Sequence, residues 1–137
     1  MPEKKVIPVR IGEAILYCKG VVLIKLIHDC EIGTEDVKEQ IAAAVKLAGN
    51  SDFVTIIDGG ITLDVREGAM NYAAKHNNEK WLAFAIIVRS LSERLFANYY
   101  LKFKRPIRPT KVFTTPKGAE EWLRQYIPVE KPLNYKL

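Results

Sequence analysis

Apolar and polar positions along this chain follow two rhythms, and their order predicts the fold. Ala14-Ile15-Leu16-Tyr17-Cys18 and Val21-Val22-Leu23-Ile24-Lys25-Leu26-Ile27 are β-rich runs separated by Lys19-Gly20. That dipeptide suits a tight turn, so the pair reads as an antiparallel hairpin. The second run is almost unbroken in apolar residues, as expected of a strand covered on both faces. Helical spacing follows. Val37, Ile41, Ala44, Val45 and Ala48 form one stripe, with Thr34 as cap, Glu35 and Asp36 in the first turn, and Gly49-Asn50 as the stop. Residues 53–58 then read as a buried strand that runs into an acidic, backbone-permissive turn, Asp58-Gly59-Gly60.

The alternation continues to the end of the chain. Asp64 and Glu67 have capping-box spacing for a second helix, whose buried face would hold Val65, Ala69, Tyr72 and Ala73. Trp81 to Val88 is the longest apolar run and the candidate central strand. Ser90 and Glu93 form a capping box for a third helix through about residue 103. Leu91, Leu95, Phe96, Tyr99, Tyr100 and Phe103 give that helix a broad apolar face, expected to meet the sheet, and Pro106 and Pro109 break it. Residues 111–114 form a short strand. Thr115-Pro116 opens a last helix, with Ala119, Trp122, Leu123 and Tyr126 on one side, and Pro128 ends it. The order ββαβαβαβα predicts one α/β domain over residues 13–127, with a mostly parallel sheet and an antiparallel N-terminal hairpin. Residues 1–12, with Pro2, Pro8 and Gly12, and residues 128–137 are expected as exposed arms.

Composition narrows the class. With 137 residues, 48% apolar and 27% charged, the chain has the make-up of a single soluble domain. No apolar run approaches the roughly 18–20 residues that span a bilayer, and the start resembles no signal peptide. Cys18 and Cys30 are too few for a disulfide framework and suggest free thiols in a cytoplasm. The net charge of +5 is unevenly placed: residues 1–80 carry 10 Lys/Arg against 12 Asp/Glu, and residues 81–137 carry 11 against 4. Lys102, Lys104, Arg105, Arg108 and Lys111 are the densest part of that excess. With Tyr99 and Phe103 expected inside, Lys102, Lys104, Arg105 and Arg108 would form a solvated basic patch. Nucleic-acid binding is disfavoured on this reading, and an anionic surface or protein patch is the better match.

Several strings resemble the STAS-like proteins, the SpoIIAA-type fold of bacterial anti-sigma-factor antagonists. Among these the chain is most similar to small uncharacterised bacterial proteins described as STAS/SEC14-like. The strings are Val54-Thr55-Ile56-Ile57-Asp58-Gly59-Gly60, the helix from Leu95 to Pro106, and Pro109 to Thr114 followed by Ala119-Glu120-Glu121-Trp122-Leu123. In true antagonists a phosphorylatable serine opens the helix after the acidic turn. Here the region reads Ile61-Thr62-Leu63-Asp64-Val65-Arg66, with Thr62 as the only hydroxyl. Asp64 is explained by capping, and the usual kinase-controlled switch is not implied.

The remaining chemistry is sparse. Asp58, Gly59, Gly60, Thr62 and Asp64 are the candidate binding residues of the acidic corner. Gly59-Gly60 lacks the Gly-Lys-Ser/Thr of a P-loop and is no dinucleotide fingerprint. His28-Asp29-Cys30 is the one place where base, acid and thiol gather, but no oxyanion-hole signature accompanies them. His76 falls near a helix end, where the dipole favours an imidazolium. The histidines and cysteines lack zinc-site spacing, so neither a metal nor a cofactor is expected. The expectation is a non-enzymatic, cytoplasmic interaction domain whose partner is another protein or a second copy in a homodimer. The alternative is a carrier or sensor of a small apolar or lipid-like ligand, held between helix 90–103 and the sheet.

Overall fold

The computed structural model describes residues 5–26, 31–58 and 64–133. Along the chain run β1 (Val6–Val9), β2 (Gly12–Cys18), β3 (Val21–Leu26), β4 (Glu31–Ile32), α1 (Thr34–Ala48), β5 (Phe53–Asp58) and β6 (Asp64–Val65). They are followed by α2 (Glu67–Lys75), β7 (Trp81–Ile87), α3 (Leu91–Tyr99), a π turn (Tyr100–Lys104), β8 (Thr110–Phe113) and α4 (Pro116–Leu123). Six strands form one sheet in the order β1-β2-β3-β5-β7-β8. β1, β2 and β3 are antiparallel neighbours, whereas β3, β5, β7 and β8 are parallel. The expected α/β class, with its parallel sheet and N-terminal hairpin, is what the structure shows. Among the described residues no helix is long and apolar enough to cross a membrane.

Strand alternation divides the core. Val21, Leu23, Val54, Ile56, Ala83, Ala85 and Ile87 face α4, whose Ala119 and Leu123 are fully buried against them. Val22, Ile24, Phe53 and Phe84 face the opposite way, toward α1 and α2. Both faces of the central strands are covered, which is why the sequence reads there as continuous apolar runs. The Lys19-Gly20 turn forms as expected. Gly20 has φ +77°, a left-handed conformation that favours glycine, and a Cβ there would lie 2.3 Å from Ile127 Cδ1, so the end of that side chain would have to move.

The described parts of both expected arms, residues 5–12 and 128–133, belong to the domain. Val6–Val9 is the edge strand, pairing Val6 with Ile15 and Val9 with Gly12, and Pro8 is tolerated there because an edge needs fewer ladder donors. At the other end Val129 and Leu133 are buried among the α4-side core. The Tyr17 hydroxyl donates to Pro132 O at 2.5 Å, and Leu133 N donates to Glu120 Oε1 at 2.7 Å. Residues 128–133 therefore cover their own chain.

Two expected caps are corrected. The N-cap of α1 is Gly33, not Thr34, and Asp36 reaches back to accept from Gly33 N at 2.9 Å. Asp36 also takes both Arg10 Nε at 2.5 Å and Arg10 Nη2 at 2.6 Å, which ties the β1–β2 turn to the start of α1. Those Arg10 hydrogen bonds hold the Asp36 carboxyl below its usual range, against the opposing effect of burial. The second correction is Asp64, which caps nothing. Asp64 and Val65 pair in parallel with Glu31 and Ile32, so this stretch is extended and α2 starts only after Arg66. The two-residue ladder, the Arg66 N to Ile32 O bond (2.9 Å) and the Arg66–Glu31 ion pair (2.7 Å) outweigh one cap.

Candidate functional site

Asp58, at the carboxyl end of β5, has a fully buried side chain. Arg89 binds it with both prongs, Nε to Oδ1 at 3.0 Å and Nη2 to Oδ2 at 2.6 Å. The register explains the meeting. Asp58 sits opposite Ile87, and Arg89 is two residues further along β7's path, so it projects on the same side. Arg89 is followed at once by the α3 cap, where Glu93 N donates to Ser90 Oγ at 3.2 Å and Arg89 N donates to Glu93 Oε1 at 3.2 Å. The expected Ser90 cap is present, but Glu93 accepts from the amide of residue 89 and not from that of Ser90, so the box is not reciprocal. The acidic corner is thus closed by an internal fork of guanidinium and carboxylate.

A second construction lies under α2. One extra residue, Leu82, breaks the β5–β7 register between the Phe53–Trp81 and Val54–Ala83 pairs. A bulge re-aims the adjoining side chain, and Trp81 joins Phe84 on the helix side of the sheet. Its ring stacks on Phe53 at 6.3 Å, and Nε1 donates to Thr55 Oγ1 at 2.9 Å. Arg108 lies over Trp81, 3.6 Å from the ring centroid. Its Nη1 donates to Ala73 O at 2.8 Å, and its Nη2 donates to His76 O. A cation there answers the last carbonyls and the negative end of α2.

This position overturns two expectations. Arg108 is 6% exposed and is no part of a surface patch, because the α2 carbonyls and the indole face hold it inside. His76 is not a favoured imidazolium. Burial, and then the Arg108 charge, lower its pKa, since Arg108 already occupies the helix end. Lys104 is also engaged, with Glu67, whose carboxyl is pulled down first by Lys104 and then by the Tyr99 hydroxyl. Of the four basic-patch residues, Lys102 and Arg105 are exposed.

Helix α3 differs most from expectation. Leu91, Leu95, Tyr99, Phe103 and Ile107, each four residues apart, are exposed by 70, 61, 39, 61 and 57%. The inward side consists of Ala97 and Tyr100, buried, with Phe96 half-buried. Tyr100 stands at the junction where the helix widens into the π turn, a feature that often marks functional positions. Because small and half-buried residues face inward, α3 does not fill the space above the sheet. A cavity of about 240 Å³ remains between α1, α2, α3 and the sheet. Its lining is hydrocarbon apart from Gln40, Thr55, Met70, Trp81, Ser92, Glu93 and Tyr100. Ser92 is exposed, so the cavity reaches the surface at the start of α3.

Gly59, Gly60 and Thr62 of the acidic corner lie outside the described residues, as do His28, Asp29 and Cys30. Asp64 is exposed on β6. The structure therefore brings none of the described corner residues into the cavity wall, although Ile57, beside Asp58, lines it. Arg89, Trp81 and Tyr100 were not singled out as site residues by the sequence, and Arg108 was, but as part of a solvated basic patch and not as a buried cation. The meeting of Arg89 with Asp58 follows from the β5–β7 register.

Strand order, hairpin start and four helices define the class: a SpoIIAA-like α/β fold. The chain is similar to the crystal structure of an uncharacterised protein of the DUF3478 family with a SpoIIAA-like fold from Shewanella loihica PV-4. The TM-score is 0.52 at 17% identity, covering 88% of this chain and 92% of that one. At that identity the likeness is one of fold, and it agrees with the resemblance read from the sequence. The chain itself belongs to the DUF7793 family, a domain of unknown function whose model matches residues 15–127. No curated protein matches the sequence.

The Arg108 construction yields a pH-dependent prediction. His76 titrates below its ordinary value of about 6.5 in the folded chain, so the unfolded chain takes up that proton first as pH falls. Its contribution to stability is complete above about pH 6.5 and is lost as pH falls below it. Arg108→Gln should raise the His76 pKa toward 6.5, read by NMR titration, and flatten that part of the pH–stability curve. Loss of the charged hydrogen bonds and ring contact should cost about 2–4 kcal/mol in urea unfolding. An unchanged His76 titration would contradict the placement.

Proposed function

We propose that this chain is a non-enzymatic, cytoplasmic binding domain that takes a small apolar molecule into the cavity between α1, α2, α3 and the sheet. The carrying observation is the cavity itself. Small-molecule sites are concave, mostly apolar and carry a few polar groups in the wall, and this one is an apolar pocket that opens to solvent. A 150 Å³ apolar cavity already admits benzene, and this one is about 240 Å³. The non-enzymatic part rests on the hydrocarbon lining and on Asp58 being held by Arg89 instead of facing the cavity. The cytoplasmic part rests on the thiols, of which Cys18 is free. A ligand in the cavity touches the inner side of α3, so its presence would be felt on that helix's outer face. That connects binding to a regulatory role. The test is a naphthalene titration followed by heteronuclear NMR. Wild-type protein should show saturable shifts confined to the lining residues. Ala73→Leu, which fills the cavity from α2, should abolish them while keeping the folded spectrum. Shifts that persist in Ala73→Leu would sink the assignment.

A second reading, contact with a second copy, is favoured by the outer face of α3. Four large apolar side chains four residues apart along α3 and the π turn, Leu91, Leu95, Tyr99 and Phe103, are an unusual surface for a monomer. Self-association would cover them. Light scattering on the purified protein should give a dimer, and the double variant Leu95→Glu, Phe103→Glu should give a folded monomer. A wild-type monomer at high concentration would remove this reading.

A further inference from the structure

The outer side of α3 carries charge as well as apolar side chains. From residue 89 to residue 111 the chain holds seven Lys/Arg against one acid, Glu93, a balance of +6 in a protein whose net charge is +5. Three of those cations are engaged within the domain: Arg89 with Asp58, Lys104 with Glu67, and Arg108 with the carbonyls of Ala73 and His76. The other four, Arg94, Lys102, Arg105 and Lys111, are exposed, and among the described residues none of them forms an ion pair. Three of the four border the apolar ridge. Arg94 is the i+3 neighbour of Leu91 on the helix surface, and Lys102 Nζ stands 5.4 Å from the Phe103 ring centroid. Arg105 follows the π turn at φ +47°, a left-handed position that glycine would fill without strain. An arginine held there keeps a charge at the end of the ridge, and backbone strain of this kind gathers at functional positions.

This charge selects the occupant of the face. Two copies paired through α3 would bring like charges together, because a two-fold interface sets one patch against itself. A nucleic acid would answer the charge but not Leu91 and Leu95, which offer no ring for a base to stack on. A protein partner would need a groove shaped to the ridge, whereas a fluid surface moulds to it. An apolar face bordered by Lys and Arg is the composition of helices that lie in a membrane interface. We infer that the outer face of α3 docks on an anionic bilayer surface. Leu91, Leu95, Tyr99 and Phe103 enter the boundary between head groups and acyl chains, along roughly 18 Å at 1.5 Å per residue. Arg94, Lys102 and Arg105 stay at the level of the lipid phosphates. The inference goes beyond the cavity reading and does not depend on it. It competes with a second copy for the same face.

Cosedimentation of the full chain with lipid vesicles tests this. Wild-type protein should bind phosphatidylcholine vesicles containing about 30% phosphatidylglycerol at least about tenfold more tightly than phosphatidylcholine alone. Binding should fall steeply between low and physiological salt. The double variant Lys102→Glu, Arg105→Glu should weaken it about twentyfold or more, at a factor of roughly five for each cation near the surface. Leu95→Ser, Phe103→Ser should weaken it too, because charge alone does not hold α3 in the interface. All four side chains are exposed, so both variants should keep the wild-type circular dichroism and unfolding midpoint, and each tests the inference without the other. Equal binding to the two kinds of vesicle, or anionic binding that survives either folded variant, overturns the inference. So does a wild-type protein that ignores anionic vesicles at low salt. A dimer that ignores them, and that Leu95→Ser, Phe103→Ser converts to a monomer, gives the face to the second copy instead.

Discussion

The contact on which the helix side of this domain depends is Arg108 lying over Trp81. Three parts of the chain meet there. The bulge at Leu82 brings the indole onto the helix side of the sheet, Thr55 and Phe53 fix its plane, and the guanidinium joins that plane to the last carbonyls of α2. Ile107 N donates to Ala74 O at 2.9 Å and closes the same end. The segment after the π turn is thereby held against the C-terminus of α2. The ends of α2 and of the π turn are fixed together, and with them the height at which α3 crosses the sheet. A lysine could supply the charge at this point but neither the planar stack nor the forked donation.

That height accounts for the cavity. On the α4 side, Ala83, Ala85 and Ala119 let helix and sheet approach closely, and Leu123 and Phe113 fill what remains. On the other side, α3 turns Ala97 and Tyr100 inward and leaves its large aliphatic residues in solvent. The two faces have similar apolar content in sequence, yet one closes and the other stays open. The open apolar pocket and the exposed apolar stripe both follow from the way α3 is turned. The Ser90 cap and the π turn mark the two ends of that helix.

This also fixes what could be read in advance. Strands β2, β3, β5, β7 and β8 were legible, because buried runs and turn residues there have one interpretation. So were the stripe and glycine stop of α1, the Ser90 cap, and the Thr115-Pro116 start of α4. Asp64 was misread because a capping pattern is local, whereas its pairing with Glu31 joins segments over thirty residues apart. The facing of α3 was misread because it carries two apolar stripes, one through Leu91, Leu95, Tyr99 and Phe103 and one through Phe96 and Tyr100. Periodicity identifies both and ranks neither. Arg108 was misplaced because a basic residue in a basic stretch reads as solvated until its carbonyl partners are known. The acidic corner was legible as a strand end, but its closure by Arg89 needed the β5–β7 register.

The account therefore moves the centre of interest from the Asp58 corner to the space beneath α3. Its central claim is that a ligand-accessible apolar cavity persists there in solution. Xenon, which enters apolar cavities without needing a polar partner, tests this directly when titrated against methyl-labelled protein. The account predicts saturable shifts at the methyl groups of Ile24, Ile41 and Ile86, which line the cavity from the sheet and α1. Shifts restricted to the exposed Leu91 and Leu95, with the interior methyl groups unmoved, would contradict it.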